Sequence, residues 1–380
     1  MKILHIIPNL KKGGAERIVI DIVRAIRQLT DKNNQVKLIL FENNIEYGVD
    51  DILDLIEIIP SKVQLSISKK NQLDISTLQK AIENFKPDII HSHLFEGEIV
   101  SRSCYYPAAK WFTHLHDRMR SFENLNLFKI RSKRDLTNYF EKKYLLNRYL
   151  LNGGNHFIAI SEDIEQYFMS ALPRKLQQVY LLPNAIDVKR FQKPENHINI
   201  SNKDICKLIS IGRLDKNKNH QLLVDIVSNL KSRNFPVHLE IIGEGDQRKN
   251  LESKISNLNL NSEISLFGIR ENVQENLWNS ALYVHSAISE GFGLTLLEAM
   301  AVGLPVISLD GGGNRDLVQE GKNGFLIHSQ KVELFSNVII ELFQNQEKYN
   351  CFSQNAIDFA KQFDINLYID KLSIIYKNSI

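Results

Sequence analysis

Short apolar runs, each too brief for a buried helix, recur along this chain with amphipathic stretches between them. No other feature constrains the fold as much. Residues 3–7, 36–41, 63–67, 89–93, 112–115, 157–160 and 179–182 read as buried strands. Ile18, Val19, Ile22, Val23 and Ile26 fall at three- and four-residue spacing and so share one helix face. Leu78, Ala81, Ile82 and Phe85 do the same, and Pro87 stops that helix. Strands alternating with helices imply a parallel sheet covered on both faces. After a polar stretch at 194–204 the pattern restarts. Strands are expected at 208–211, 239–242, 264–267, 282–285 and 306–309, and a helix is marked by Leu222, Leu223, Ile226, Val227 and Leu230. The reading is α/β with two domains, 1–190 and 191–360. Residues 361–380 are expected as a helix packing back toward the first domain.

Composition agrees with this and excludes other classes. At about 100–200 residues per domain, 380 residues make two domains. With 43% hydrophobic and 24% charged residues, the chain is neither disordered nor fibrous. A net charge of +3 does not mark a nucleic-acid binder. Cys104, Cys206 and Cys351 lie far apart, which argues against a disulfide framework or zinc ribbon and for a reducing compartment. The first apolar run is halted by Pro8, and no run approaches the ~18 apolar residues of a membrane span. A soluble cytoplasmic protein is expected. Residues 101–150 hold eleven Lys/Arg against four Asp/Glu, a block of +7, with aromatic and aliphatic residues interleaved. Such a segment reads first as a core-packing helix with a solvated basic face, and it also fits peripheral contact with an anionic membrane surface.

The loops after the strands hold the chemistry. Gly13-Gly14 closes the first strand and opens a helix, where backbone amides and the dipole end favour an anion. The turn lacks the three glycines of a dinucleotide fingerprint, and no phosphate-binding P-loop motif occurs. The second half opens its first loop with Gly212-Arg213, followed by Lys218. A guanidinium and an ammonium at the crevice side of a sheet suit a pyrophosphate. The most specific segment runs from Glu290-Gly291-Phe292-Gly293-Leu294 to Glu298, and its helix is closed by Gly303 and Pro305. Two carboxylates eight residues apart can each accept from a diol of one extended ligand. Glu298 has the apolar neighbours Leu296, Leu297, Ala299 and Met300, so its charge needs a partner. Gly311-Gly312-Gly313 and Pro183-Asn184 add further turns after strands. His91 and His93 share a strand face, but no third ligand at metal spacing follows, and a cleft-lining or core role is expected. His116, beside Asp117 at a strand end, is the better functional histidine; His114 reads as structural.

These motifs resemble the family 4 glycosyltransferases, retaining nucleotide-sugar enzymes of the GT-B fold with two facing Rossmann-like domains and a deep interdomain cleft. The resemblance spans nearly the whole chain. It implies that Arg213 and Lys218 hold the donor diphosphate, and that Glu298 binds the ribose. Glu290 with the backbone of Gly291, Phe292, Gly293 and Leu294 would face the donor sugar. Gly13 and Gly14 would approach the phosphates, His116 would lie near the reacting sugar carbon, and Gly268-Ile269 would lie near the base. Asp316 stands where the family has Glu. The catalytic set expected is His116, Glu290, Arg213 and Lys218. No metal or other cofactor is expected, since no Asp-x-Asp occurs to hold one. The implied activity is transfer of a hexose or N-acetylhexosamine from a UDP-sugar to a glycan or lipid-linked acceptor in cell-surface polysaccharide synthesis. A phosphorylase or epimerase on the same fold, and a non-catalytic sugar-nucleotide-binding subunit, are the alternatives.

Overall fold

The computed structural model describes residues 1–29, 34–65, 70–122, 130–194 and 204–380. The chain divides into two compact units, Met1–Ala185 with Ile365–Ile380, and Ile186–Asp364. The break after Ala185 and the return at Ile365 follow from packing. The last helix, Ile365–Ser379, buries Tyr368, Ile369, Leu372 and Tyr376 in the same core as Ile18, Val19, Ile22, Val23 and Ile26.

The first unit is built on strands β1 (Lys2–Ile7), β2 (Gln35–Leu40), β3 (Ile56–Ile58), β6 (Ile89–His93), β7 (Lys110–Leu115), β8 (Asn155–Ala159) and β9 (Val179–Leu181). They form one parallel sheet in the order β3-β2-β1-β6-β7-β8-β9. The helix Gly14–Leu29 and the final helix cover the face that bears Ile3, Ile7, Ile89, Phe112 and Ile158. The opposite face meets the helix Leu94–Ser103. There Arg102, fully buried, donates to Glu98, Asn155 and Thr113 and lies over the rings of Trp111 and Tyr149. One expectation fails in the part described: residues 63–65 do not form a buried strand of the main sheet. Lys62–Gln64 (β4) instead pairs antiparallel with Gln72–Asp74 (β5) in a separate two-stranded hairpin with little burial, and residues 66–69 lie outside the described chain. The run is too weakly apolar to occupy a sheet buried on both faces. Two short edge strands, β3 and the last strand of the second unit, lie outside the expected set: β3 carries a glutamate at its centre, and the last strand offers only three apolar residues, Phe325, Leu326 and Ile327.

The second unit has β10 (Cys206–Ile211), β11 (Val237–Ile242), β12 (Ile264–Gly268), β13 (Leu282–His285), β14 (Val306–Leu309) and β15 (Gly324–Ile327). All pair in parallel, in the order β12-β11-β10-β13-β14-β15. Counted within the unit this is 3-2-1-4-5-6, the doubly wound order whose direction of winding reverses between its first and fourth strands. Loops leaving β10 and β13 therefore diverge onto opposite faces and open a crevice at the carboxyl edge. Ligands of such sheets bind there.

Candidate active site

Lys218 and Glu290, two of the residues singled out in the second unit, meet at that switch point. The loop after β10 is tied to the loop after β13 through Asn217, which donates from Nδ2 to the Ser289 carbonyl and accepts from Ser289 N at 2.8 and 3.1 Å. Ser286 Oγ donates to the Lys218 carbonyl at 2.8 Å. This stitching places Lys218 Nζ 2.6 Å from Glu290 Oε2. His285 Nε2 lies 3.1 Å from the same oxygen. The Glu290 side chain is 14% exposed and that of Lys218 20%. Burial alone would raise the Glu290 carboxyl. The Lys218 ammonium and the His285 ring outweigh it and hold Glu290 well below the usual carboxylate range. Burial in turn lowers His285, partly offset by its bond to Glu290. The result is an ionised carboxylate fixed at the mouth of the crevice, with a cation beside it.

Glycines let the backbones close around this pair. Glu290 N donates to the Gly311 carbonyl at 2.8 Å, and Gly313 N to the Glu290 carbonyl at 2.9 Å. A Cβ on Gly313 would collide with the Gly291 carbonyl, so close approach requires glycine there. Gly293, at φ 102°, precedes the helix Leu294–Ala301, whose first amides open on the same edge. Tyr283 fixes that helix start: its hydroxyl donates to Thr295 Oγ1 at 2.7 Å and lies 3.2 Å from the Ile211 carbonyl. Glu298 is partly buried one turn further along. Phe292 is buried against Phe363, so only its backbone faces the crevice side. Arg213 stands apart from Glu290. Its side chain is 74% exposed and reaches Asp215 at 3.3 Å. Gly268, at φ 70°, ends β12, and Ile269 beside it is 54% exposed.

Gly13, Gly14 and His116 belong to the first unit. The Gly13 backbone is held at both ends by Tyr47, whose hydroxyl accepts from Gly13 N at 3.0 Å and donates to its carbonyl at 2.9 Å. His116 is half-buried, stacked on His114, with Nε2 3.2 Å from Nδ1 of His93. His93 Nε2 in turn lies 2.9 Å from Nδ1 of His5. Burial drives His5 and His114 down to about 3 and keeps His93 and His116 well below the ordinary imidazole range, so the whole row is neutral near pH 7.

Residues 12–190 match the family described as Glycosyltransferase Family 4, and residues 192–359 match Glycosyl transferases group 1. The chain belongs to the glycosyltransferases of family 4 type. Among its relatives, this glycosyltransferase is 23% identical to the poly(glycerol-phosphate) alpha-glucosyltransferase of Bacillus subtilis, over 92% of this chain and 55% of that one. It is 30% identical to the N-acetylgalactosamine-N,N'-diacetylbacillosaminyl-diphospho-undecaprenol 4-alpha-N-acetylgalactosaminyltransferase of Campylobacter jejuni, over 53% of each. The chain thus spans little more than half the length of these two relatives. Its fold resembles that of Anabaena HepE, solved in complex with UDP-glucose, with a TM-score of 0.79 at 21% identity over all of both chains. That likeness is one of fold, the GT-B class with two Rossmann-like domains.

In this glycosyltransferase four supporting residues carry no motif in the sequence. Asn217, Tyr283 and His285 position Lys218, the helix start and Glu290, and His5 supports the His93–His116 row. None lies in a recognisable string, and only the side-to-side order of the strands brings them in. His285 alone leaves a signal, as a histidine ending a strand five residues before Glu290. The basic block also changes character. Arg102 is buried against Glu98, Arg148 donates to the backbone carbonyls of Arg102, Ser103 and Cys104, and Lys142 donates to that of Phe122. These cations stabilise the unit from within. Phe140, Leu150 and Leu151 of the helix Lys133–Asn152 are exposed, and residues 123–129 of the block lie outside the described chain. Among the described residues no helix is long and apolar enough to cross a membrane.

Proposed function

We propose that this glycosyltransferase transfers a hexose or N-acetylhexosamine, with retention at the anomeric carbon, from a nucleoside diphosphate sugar of the UDP type. The acceptor is a glycan or lipid-linked sugar of a cell-surface polymer. The reading is supported most by the Lys218–Glu290 pair at the switch point of a doubly wound sheet. An extended anion entering there meets the Lys218 ammonium, the exposed Arg213 guanidinium and the amides of the Leu294–Ala301 helix. Together these stabilise charge developing on a leaving diphosphate without a bound divalent ion. Glu290 accepts hydroxyl protons of the donor sugar while Lys218 holds it ionised. Glu298 accepts from the ribose, and Gly268 and Ile269 border the base. By the family resemblance, Gly13 and Gly14 would serve the phosphates and His116 the reacting sugar. The diphosphate leaving on one face takes the acceptor proton as the new bond forms on that face. The names of the relatives in Bacillus and Campylobacter, both α-glycosyl transferases, support retention and a cell-surface acceptor.

Screening a panel of nucleotide sugars in EDTA tests this, by thermal stabilisation and by slow donor hydrolysis. One UDP-sugar is expected to stabilise and to be hydrolysed. Stabilisation by no nucleotide sugar, or a strict Mn²⁺ requirement, would overturn metal-free transfer from a UDP-sugar.

A further inference from the structure

Three histidines from two neighbouring strands meet at the carboxyl edge of the first unit's sheet. His93 ends β6 and stands opposite His114 of β7 in the register. His116 follows two residues later, stacked on His114. Nδ1 of His93 and Nε2 of His116 are 3.2 Å apart. Ring centres lie 5.1 Å apart for His93 and His114, 5.4 Å for His93 and His116, and 4.2 Å for His114 and His116. One ligand atom from each ring lies within 4.8 Å of the other two. An ion with nitrogens at about 2.0–2.1 Å in a tetrahedral shell needs those nitrogens about 3.3 Å apart, and the ring centres about 5 Å apart. The His93–His116 and His93–His114 spacings lie close to those values, whereas His114 and His116, parallel within 4°, must turn about their side-chain bonds before both aim a nitrogen at one ion.

Three further features mark the same place. His114 is fully buried; the Asn184 amide lies beside it, but neither ring nitrogen meets a partner in full hydrogen-bonding geometry. A buried imidazole so weakly paired is open to a metal ion as its partner. His93 is oriented from behind by His5, in the way that an outer partner fixes which nitrogen of a ligating histidine faces the metal. Leu94, next to His93, is held at φ 61°, a left-handed conformation that a branched side chain avoids and that tends to mark functional sites. Among the three rings His116 alone is partly exposed, which gives an ion a way in and an open fourth position.

We propose that His93, His114 and His116 form a site for a divalent transition-metal ion, and that the ion switches transfer off by occupying His116. Three neutral imidazoles select zinc, copper, nickel or cobalt over magnesium, calcium or manganese. The proton that His93 and His116 share moves to the outer nitrogen of His116, so the rings stay neutral and the fourth ligand comes from solvent. The site itself is independent of the donor reading. The switch rests on His116 facing the reacting sugar, as the proposed function has it.

The test uses the full chain, freed of metal and titrated with Co²⁺. A visible ligand-field band is expected to saturate at one equivalent and to vanish when Zn²⁺ displaces the cobalt. His114→Gln is expected to abolish the band, and His5→Gln to weaken binding at least ~10-fold. His116→Ala, at the accessible end, repeats the arm should His114→Gln fail to fold. Absence of a stoichiometric band in the native chain overturns the site, as does a band that survives both His114→Gln and His116→Ala. Sugar transfer is read separately. Inhibition at one equivalent of Zn²⁺ supports the switch, and full activity with the site loaded overturns the switch while leaving the site in place.

Discussion

Replacing Lys218 with Met removes the cation from the Lys218–Glu290 pair and keeps most of the apolar stem. The Nζ–Oε2 distance is 2.6 Å, and both side chains are four-fifths or more buried. Breaking a buried pair from one side leaves the other charge uncompensated and costs about 3–5 kcal/mol. For a unit of this size about 3 kcal/mol lowers the thermal transition by roughly 6–12 °C. The pH dependence follows from the sign of the Glu290 shift. Its folded-state pKa lies below its unfolded value, so the pair contributes stability above the unfolded carboxylate range, near pH ~4.3, and loses it as acid is added. In Lys218→Met the burial that opposes ionisation has no ammonium to overcome it. The shift then shrinks or reverses, and the variant and native curves converge as pH falls. Calorimetric scans at pH 7 and at pH 4 measure both effects. UDP affinity, read by titration calorimetry, should fall about 10- to 100-fold, the worth of a charge-assisted hydrogen bond at about 1.5–3 kcal/mol. A thermal transition within about 2 °C of native at pH 7, with UDP affinity unchanged, would refute both the energetic and the functional assignment.

Arg213→Ala should behave oppositely. The side chain is mostly exposed, so stability at pH 7 should stay within about 0.5 kcal/mol of native while UDP affinity drops, as calorimetry would show. Gly313→Ala should lower the second unit's unfolding free energy by about 1–3 kcal/mol in urea titration, because the new Cβ meets the Gly291 carbonyl; native-like stability would contradict the close approach. Glu298→Ala should weaken UDP binding with little effect on the first unit, whereas His116→Ala should lower kcat for transfer and leave UDP affinity intact. Equal losses of both quantities in His116→Ala would recast it as scaffold.

The elements are legible because a parallel sheet buried on both faces writes itself as apolar runs. Strands 89–93, 282–285 and 306–309 have the bounds expected for them. Legibility fails where a strand is short or burial is slight. β3 and β15 are only three and four residues long, too short to stand out as runs, and the hairpin β4–β5 stands outside the main sheet. The string from Glu290 to Glu298 is readable because its glycines and acids are close in sequence.

What the sequence determined by itself is therefore local: strand against helix, two repeats of one architecture, and the glycine turns that follow the strands. What only the tertiary structure decided is which loops become neighbours. Lys218 and Glu290 are 72 residues apart and meet because β10 and β13 lie side by side where the winding reverses. His93 has no third ligand within any sequence spacing, yet His114 and His116 reach it through the β6–β7 pairing, and His5 through β1. A strand order is fixed by the free energy of closing the whole sheet, to which no single segment holds the key, so pairings across it cannot be read from one segment at a time.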